Sequence, residues 1–114
     1  VKKNELLELT FEFAVNIIKY SDLLEENRKF VLARQILKSG TSIGANAREA
    51  QSSESISDFI HKLKIADKEA LETEYWLQLS KASPGYPDPG ELLNDLIRIR
   101  KILCAIIKTS KSKL

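Results

Sequence analysis

Few residues in this chain have chemistry to offer. It contains one histidine, His61, and one cysteine, Cys104. Coordination through nitrogen or sulfur needs several such ligands at set spacing, and no pair of them exists. Asp67, Glu69, Glu72 and Glu74 crowd one stretch. A carboxylate metal pair inside a helical bundle uses Glu-x-x-His motifs, however, and none is present. Those acids alternate with Lys62, Lys64 and Lys68, which reads as a solvated helix face with Lys64 and Lys68 set against Glu72.

Nucleophilic catalysis has little to build on. Ser42, Ser52, Ser53 and Ser55 offer hydroxyls, but His61 is the only conventional base and has no orienting partner in sequence. Cys104 falls among the apolar residues near the C-terminus and reads as a small core residue rather than a reactive thiol. The stretch Gly40 to Ala47 has the small residues of a phosphate-binding loop but lacks the Gly-Lys-Ser/Thr ending, and no strand precedes it. No catalytic residue, metal or cofactor is expected, so the chain does not read as an enzyme.

Basic residues remain. Arg98, Lys101 and Lys108 align on one side of a C-terminal helix, with Asn94 ahead and Ala105 between, and Lys111 and Lys113 extend the charge. Such a row can follow a phosphate backbone. Bases near a helix C-terminus also complement the helix dipole and aid solubility, which is the plainer explanation. No aromatic residue interleaves with the row to stack on bases. Net charge over the 114 residues is only +2, but it is unevenly spread. Residues 1–24 sum to −1, 25–53 to +2, 54–90 to −3 and 91–114 to +4.

The elements that position these residues are helices. Leu, Ile, Ala, Glu and Lys dominate, and there are only 4 Gly and 3 Pro. The length suits one domain, 1–114, with a single core. All three prolines lie between Ala82 and Gly90, which must be a loop. Weaker breaks near Ser21–Asn27 and Gln51–Ser55 divide the chain into helices over about 4–24, 27–52, 55–82 and 89–110. Asp88, Pro89 and Glu91 form a capping-box arrangement at the last start. Short connections between long helices favour an antiparallel up-down four-helix bundle. The N-terminus, Val1-Lys2-Lys3-Asn4-Glu5, has no signal-peptide pattern, and no stretch is long and apolar enough for a membrane span. With a single cysteine, this fits a reducing cytoplasm.

Helix one carries Leu6, Phe13, Ile17, Tyr20 and Leu24 at helical spacing, with Leu7, Phe11, Ala14 and Ile18 beside them. Gly40, Ile43, Gly44, Ala47 and Ala50 share one face of helix two, a small-residue packing face, although two glycines make a kink there a live alternative. The core stripe of helix three is Phe59, Leu63, Ala66, Ala70 and Leu77, yet Ile65 and Trp76 point the other way, with Leu79 beside them. Apolar residues of helix four span an arc of about 220° at 100° per residue, more than one seam requires. Surplus apolar surface marks contact, so self-association is expected through Ile65, Trp76 and Leu79. The alternative is that the loop at 82–90 folds back over Trp76. Arg100 projects into the apolar arc of helix four, where it either snorkels to water or meets an acid across an interface.

The run Ala33-Arg34-Gln35-Ile36-Leu37-Lys38-Ser39-Gly40-Thr41-Ser42-Ile43-Gly44-Ala45-Asn46-Ala47-Arg48-Glu49-Ala50 carries a family resemblance. Asp58 to Ala66 and Glu69 to Leu77 continue it. The chain resembles the bacterial 23S rRNA intervening-sequence proteins, also called the S23 ribosomal protein family, over essentially its whole length. The accessory protein of diversity-generating retroelements is similar to them. The most specific part is Ser42, Ile43, Ala45, Asn46 and Glu49; Gly44 and Ala50 stand where many relatives carry Pro and Gly. The resemblance implies a four-helix up-down bundle forming a homopentameric ring. It also implies binding of RNA, DNA or a nucleic-acid enzyme, and brings no catalytic residues. Ser42, Asn46 and Glu49 are expected to form a buried structural network rather than a ligand site. Two functions stand side by side: an oligomeric bundle that binds nucleic acid through Arg98, Lys101, Lys108 and Lys111, or a protein-interaction scaffold.

Overall fold

The computed structural model describes residues 3–114, with side chains from Glu5 onward. Val1 and Lys2, the start of the stretch read as free of a signal, lie outside the described residues. Four helices follow in order: α1 (Lys3–Glu26), α2 (Phe30–Ala50), α3 (Ile56–Ala82) and α4 (Leu92–Lys111). No strand occurs among the described residues. None of these helices is long and apolar enough to cross a membrane.

Successive helices are antiparallel. Thr10 and Ile17 of α1 lie against Gly44 and Gly40 of α2, so numbering falls on one helix as it rises on the other. Ser39 and Glu49 of α2 reach Thr73 and Lys62 of α3, and Asp67 of α3 reaches Arg100 of α4. Helix α4 packs on both α3 and α1 and closes the bundle. The inner faces supply the expected stripes: Leu6, Phe13, Ile17 and Leu24 from α1, Leu63 and Leu77 from α3, and Leu96, Ile99 and Leu103 from α4 are all buried. Small residues of α2 complete the core, which is why α2 sits so close to its neighbours.

Helix α2 runs unbroken through both glycines. The kink alternative is set aside by packing. A Cβ at position 40 would stand 2.8 Å from Cγ1 and 2.9 Å from Cγ2 of Ile17, so glycine is there to admit α1. Gly44 is nearly as tight, with Thr10 atoms 3.3 Å from the same hypothetical carbon. The cost of glycine in a helix is offset by the contact it permits.

Helix boundaries moved where backbone geometry overruled sequence cues. Helix α1 continues to Glu26 and ends on Arg28, a residue at φ 64. The Arg28 N–H donates to Glu25 O and the Lys29 N–H to Leu24 O, at 2.9 and 2.8 Å. This is a Schellman ending with arginine where glycine is usual. Ser55 caps α3 by accepting from the Asp58 N–H at 3.0 Å. The capping box expected at Asp88 does not form. Asp88 Oδ1 instead accepts from the Gly90 N–H at 3.1 Å in a tight turn. Gly90 then takes φ 61, which no helix can contain, so α4 begins only at Leu92.

The loop before α4 is clasped to the bundle by Tyr20. Its hydroxyl donates to Pro87 O at 2.6 Å, so the Ser80 hydroxyl bonded to it must act as donor. Lys29 lies over the Tyr86 ring, 4.6 Å from its centre. Burial raises the Tyr20 pKa above 10.0, opposed by the Ser80 hydrogen bond and assisted by the Asp88 charge.

Two outcomes follow from these contacts. Gly40→Ala should lower stability by about 1–3 kcal/mol in urea unfolding, because overpacking against Ile17 outweighs the better helix propensity; a stabilised variant would refute the close approach. Tyr20 holds its proton more tightly folded than unfolded, so its contribution is complete below pH 10 and fades as pH rises through the raised folded value. Tyr20→Phe should therefore show a smaller fall in stability above about pH 10 than the parent, measured as melting temperature across the alkaline range.

Candidate nucleic-acid interface

Helix α4 carries five basic residues and one acid between Leu92 and Lys111, while α1 carries six acids and two lysines between Lys3 and Glu26. Adjacent helices thus hold opposite charge. Arg98, Lys101, Lys108 and Lys111 are all exposed on α4, and none forms an ion pair among the described residues. They are not equivalent. Arg98 shares a shallow cleft with Glu12 of α1 and Asp95, two carboxylates that lower its attraction for phosphate. Lys101 and Lys108 stand further round the helix, toward α3.

Arg100 belongs elsewhere. Its guanidinium meets Asp67 of its own α3 in a two-pronged bond, Nε to Oδ1 at 2.8 Å and the second nitrogen to Oδ2 at 3.2 Å. The acid expected across an interface is therefore within the chain. The side chains are 29% and 20% exposed, so water screens the pair only in part. Hydrogen bonding to Asp67 raises the Arg100 pKa further and fixes the guanidinium as a cation.

Other expected features are also redistributed. Lys64, Lys68 and Glu72 make no ion pairs with one another among the described residues; Glu72 instead accepts from the Trp76 indole N–H at 3.1 Å. Trp76 is half-buried against the core rather than outside it, with Tyr75 tilted onto its ring at 5.2 Å. Ile65 is half-buried as well, and Leu79 is exposed. Cys104 is exposed rather than in the core, because the helix rotates Leu103 inward in its place.

The Ser42, Asn46 and Glu49 motif does not form a buried network. Ser42 Oγ donates to Lys38 O at 2.7 Å and Asn46 Nδ2 to Ser42 O at 2.9 Å, each one turn back on its own helix. Glu49 is exposed and pairs with Lys62 of α3 at 3.3 Å. Its position at the last turn of α2, two helix columns away from the core stripe, keeps it in water. The buried polar pairing lies instead between Ser39 and Thr73, whose hydroxyls are 2.9 Å apart.

The exposed aromatic and aliphatic residues form two flanks. On the α1/α2 flank stand Phe11, Val15 and Ile18 of α1 with Leu37 of α2; Phe11 is 62% exposed. A groove of about 130 Å³ there runs over Gly44 and Ala45 beside Phe11, with Arg48 at its edge. On the α3/α4 flank stand Leu71, Tyr75 and Ile97. The second was foreshadowed by the broad apolar arc of helix four. The first was not, although Phe11 and Ile18 already widened the stripe of helix one; periodicity shows a wide arc but not which edge of it the neighbours leave bare.

A cavity of about 560 Å³ opens between the α2–α3 turn and the last turns of α4. Phe59, Ile106 and Ile56 give it an apolar wall, and Glu54 and Lys113 are its charged members. That set has no nucleophile with a base beside it.

The model for the 23S rRNA-intervening sequence protein family matches residues 2–105. The chain belongs to this family. A crystal structure of an S23 ribosomal protein family member of unknown function, from Bacteroides thetaiotaomicron VPI-5482, is similar to it throughout. The two share 47% identity with a TM-score of 0.88, over 95% of this chain and 99% of that one. No protein of curated function matches. Neither family name denotes a reaction. The 23S rRNA-intervening sequence family match ends at residue 105, so Lys108 and Lys111 lie beyond it.

Removing Asp67 should leave Arg100 half-buried without its partner. Asp67→Ala is expected to cost about 1–2 kcal/mol in chemical denaturation, less than a fully buried pair would because water reaches both side chains. Asp67→Glu should recover part of the loss, and an unchanged midpoint in the alanine variant would show the pair to be ornamental.

Proposed function

We propose that this family member is a non-enzymatic bundle that associates with copies of itself and binds structured RNA through the outer side of α4. The observation that carries the nucleic-acid half is the concentration of exposed cations, without ion pairs among the described residues, at Lys101, Lys108 and Lys111 on one helix of a nearly neutral chain. Phosphate contacts need cations free of protein carboxylates, and these three qualify better than Arg98. Lys64 and Lys68 of α3 are also exposed and free of ion pairs among the described residues, on the helix next to α4. Tyr75 supports the same surface. It supplies, from α3, an exposed aromatic ring that the basic row itself lacks.

The family name points to ribosomal RNA, which favours RNA over DNA as the ligand. Self-association rests on the apolar flanks: Phe11, Val15 and Ile18 on one side and Leu71 and Ile97 on the other are more exposed aliphatic and aromatic surface than a small soluble bundle needs. A ring such as the pentamer implied by the resemblance would repeat the α4 cations around its circumference. Repetition turns a few weak phosphate contacts into a usable affinity.

Gel-shift titration against a structured RNA tests the ligand. Affinity should fall steeply as salt rises from 50 to 200 mM, by about tenfold or more if several phosphates are neutralised. Lys101→Glu with Lys108→Glu should weaken binding at least tenfold and flatten the salt dependence, while Arg98→Glu should do less. Absence of any complex at low salt, or an undiminished affinity in the double variant, would defeat the proposal.

A further inference from the structure

Tyr75 is an exposed ring that its neighbours hold in place. It is 55% exposed, yet the Trp76 ring lies 5.2 Å from its centre, tilted by 60°. Trp76 is itself tied by its indole N–H to Glu72. A ring fixed in this way can stack a nucleobase with little further loss of side-chain freedom.

Charge changes sign along α3 on either side of this ring's level. Glu72 lies one turn before Tyr75, and half-buried Glu74 stands close enough to Arg100 to favour its charge. Both carboxylates disfavour a phosphate at the ring. Lys68 and Lys64 come two and three turns before Tyr75, about 10 and 16 Å along the axis. Both are exposed and free of ion pairs among the described residues. At 100° per residue, positions 64, 68 and 75 fall within about 40° of one another, so they form one row. Leu71 is turned further toward Asp67 and α4 and lies beside that row. The Arg100–Asp67 bond, neutral as a pair, brings Lys101 of α4 within a turn of the level of Lys64 and Lys68.

A duplex presents phosphate ridges and keeps its bases inside. Laid along this row, it would bring phosphate against Glu72 and Glu74. An unpaired strand can turn a neutral base toward that end and keep its phosphates at the other. We propose that the RNA bound here presents unpaired nucleotides, one base stacking on Tyr75 while Lys68, Lys64 and Lys101 hold the neighbouring phosphates. This rests on the nucleic-acid reading above and names the kind of RNA segment that the surface selects.

Two RNAs that share one stem test it: a hairpin closed by a uridine loop of about ten nucleotides, and the same stem as a blunt duplex. The hairpin should bind at least about fivefold more tightly than the stem, the least that one stacked base contributes. Trp76 is the single tryptophan, and a base on Tyr75 lies close enough to quench its emission, so the hairpin should quench it and the stem should not. Tyr75→Ala should abolish both differences and leave stem affinity unchanged, whereas Tyr75→Phe should preserve them. The site is exposed, so the fold should survive, as circular dichroism will show. A stem that binds as tightly as the hairpin, or a Tyr75→Ala variant that binds the hairpin like the parent, overturns the stacking but leaves the α4 cations as an RNA surface. If neither RNA binds at low salt, the nucleic-acid reading itself falls and takes this one with it.

Discussion

Between α1 and α2 the backbones approach so closely that position 40 has no room for a methyl group beside Ile17. Much of the rest depends on that approach. It sets the rotation of α2, which turns Ile36, Ile43 and Ala47 inward toward α3 and Leu37, Thr41 and Ala45 outward beside Phe11. A bulkier residue would push α2 away, open the seam and dissolve the concave strip that the outer residues form. The price in helix propensity is about 1 kcal/mol per glycine, and dispersion contacts of a fully buried Ile17 offset it.

Polar groups inside this frame are placed to specify it. Ser21 bonds the Ala33 carbonyl at 3.1 Å, Ser39 meets Thr73, and Tyr20 holds Ser80 and Pro87. Each joins separate elements and leaves its hydroxyl satisfied, which a buried hydroxyl requires. The Arg100–Asp67 bond does similar work nearer the surface. By fixing the register of α4 on α3 it decides that Ile97 borders Leu71 and Tyr75, and that Lys101 and Lys108 stand on the outer side.

Charge is divided unevenly between neighbouring helices. A lone bundle offers a handful of lysines beside an acidic neighbour, and the field of α1 partly cancels that of α4.

The stripes Leu6–Phe13–Ile17–Leu24 and Leu63–Ala66–Ala70–Leu77 were legible in sequence because helical periodicity is a local property that burial must respect. So were the proline-bearing loop, the four helices and the small-residue face of α2. The cations of α4 could be found by wheel projection alone. What only tertiary structure decided is where partners lie. Asp67 is 33 residues from Arg100, and nothing local distinguishes it from Glu69 or Glu74 as the acid to be met. Asp88 has every mark of a helix cap, yet Gly90 turns the chain away before the helix can begin. Trp76 points away from the stripe of its own helix and is still half-covered, while Phe11 is left bare, because coverage depends on how neighbouring helices are rotated. Sequence determines which residues share a helix face; only the packing of helix on helix determines which faces meet each other and which meet water.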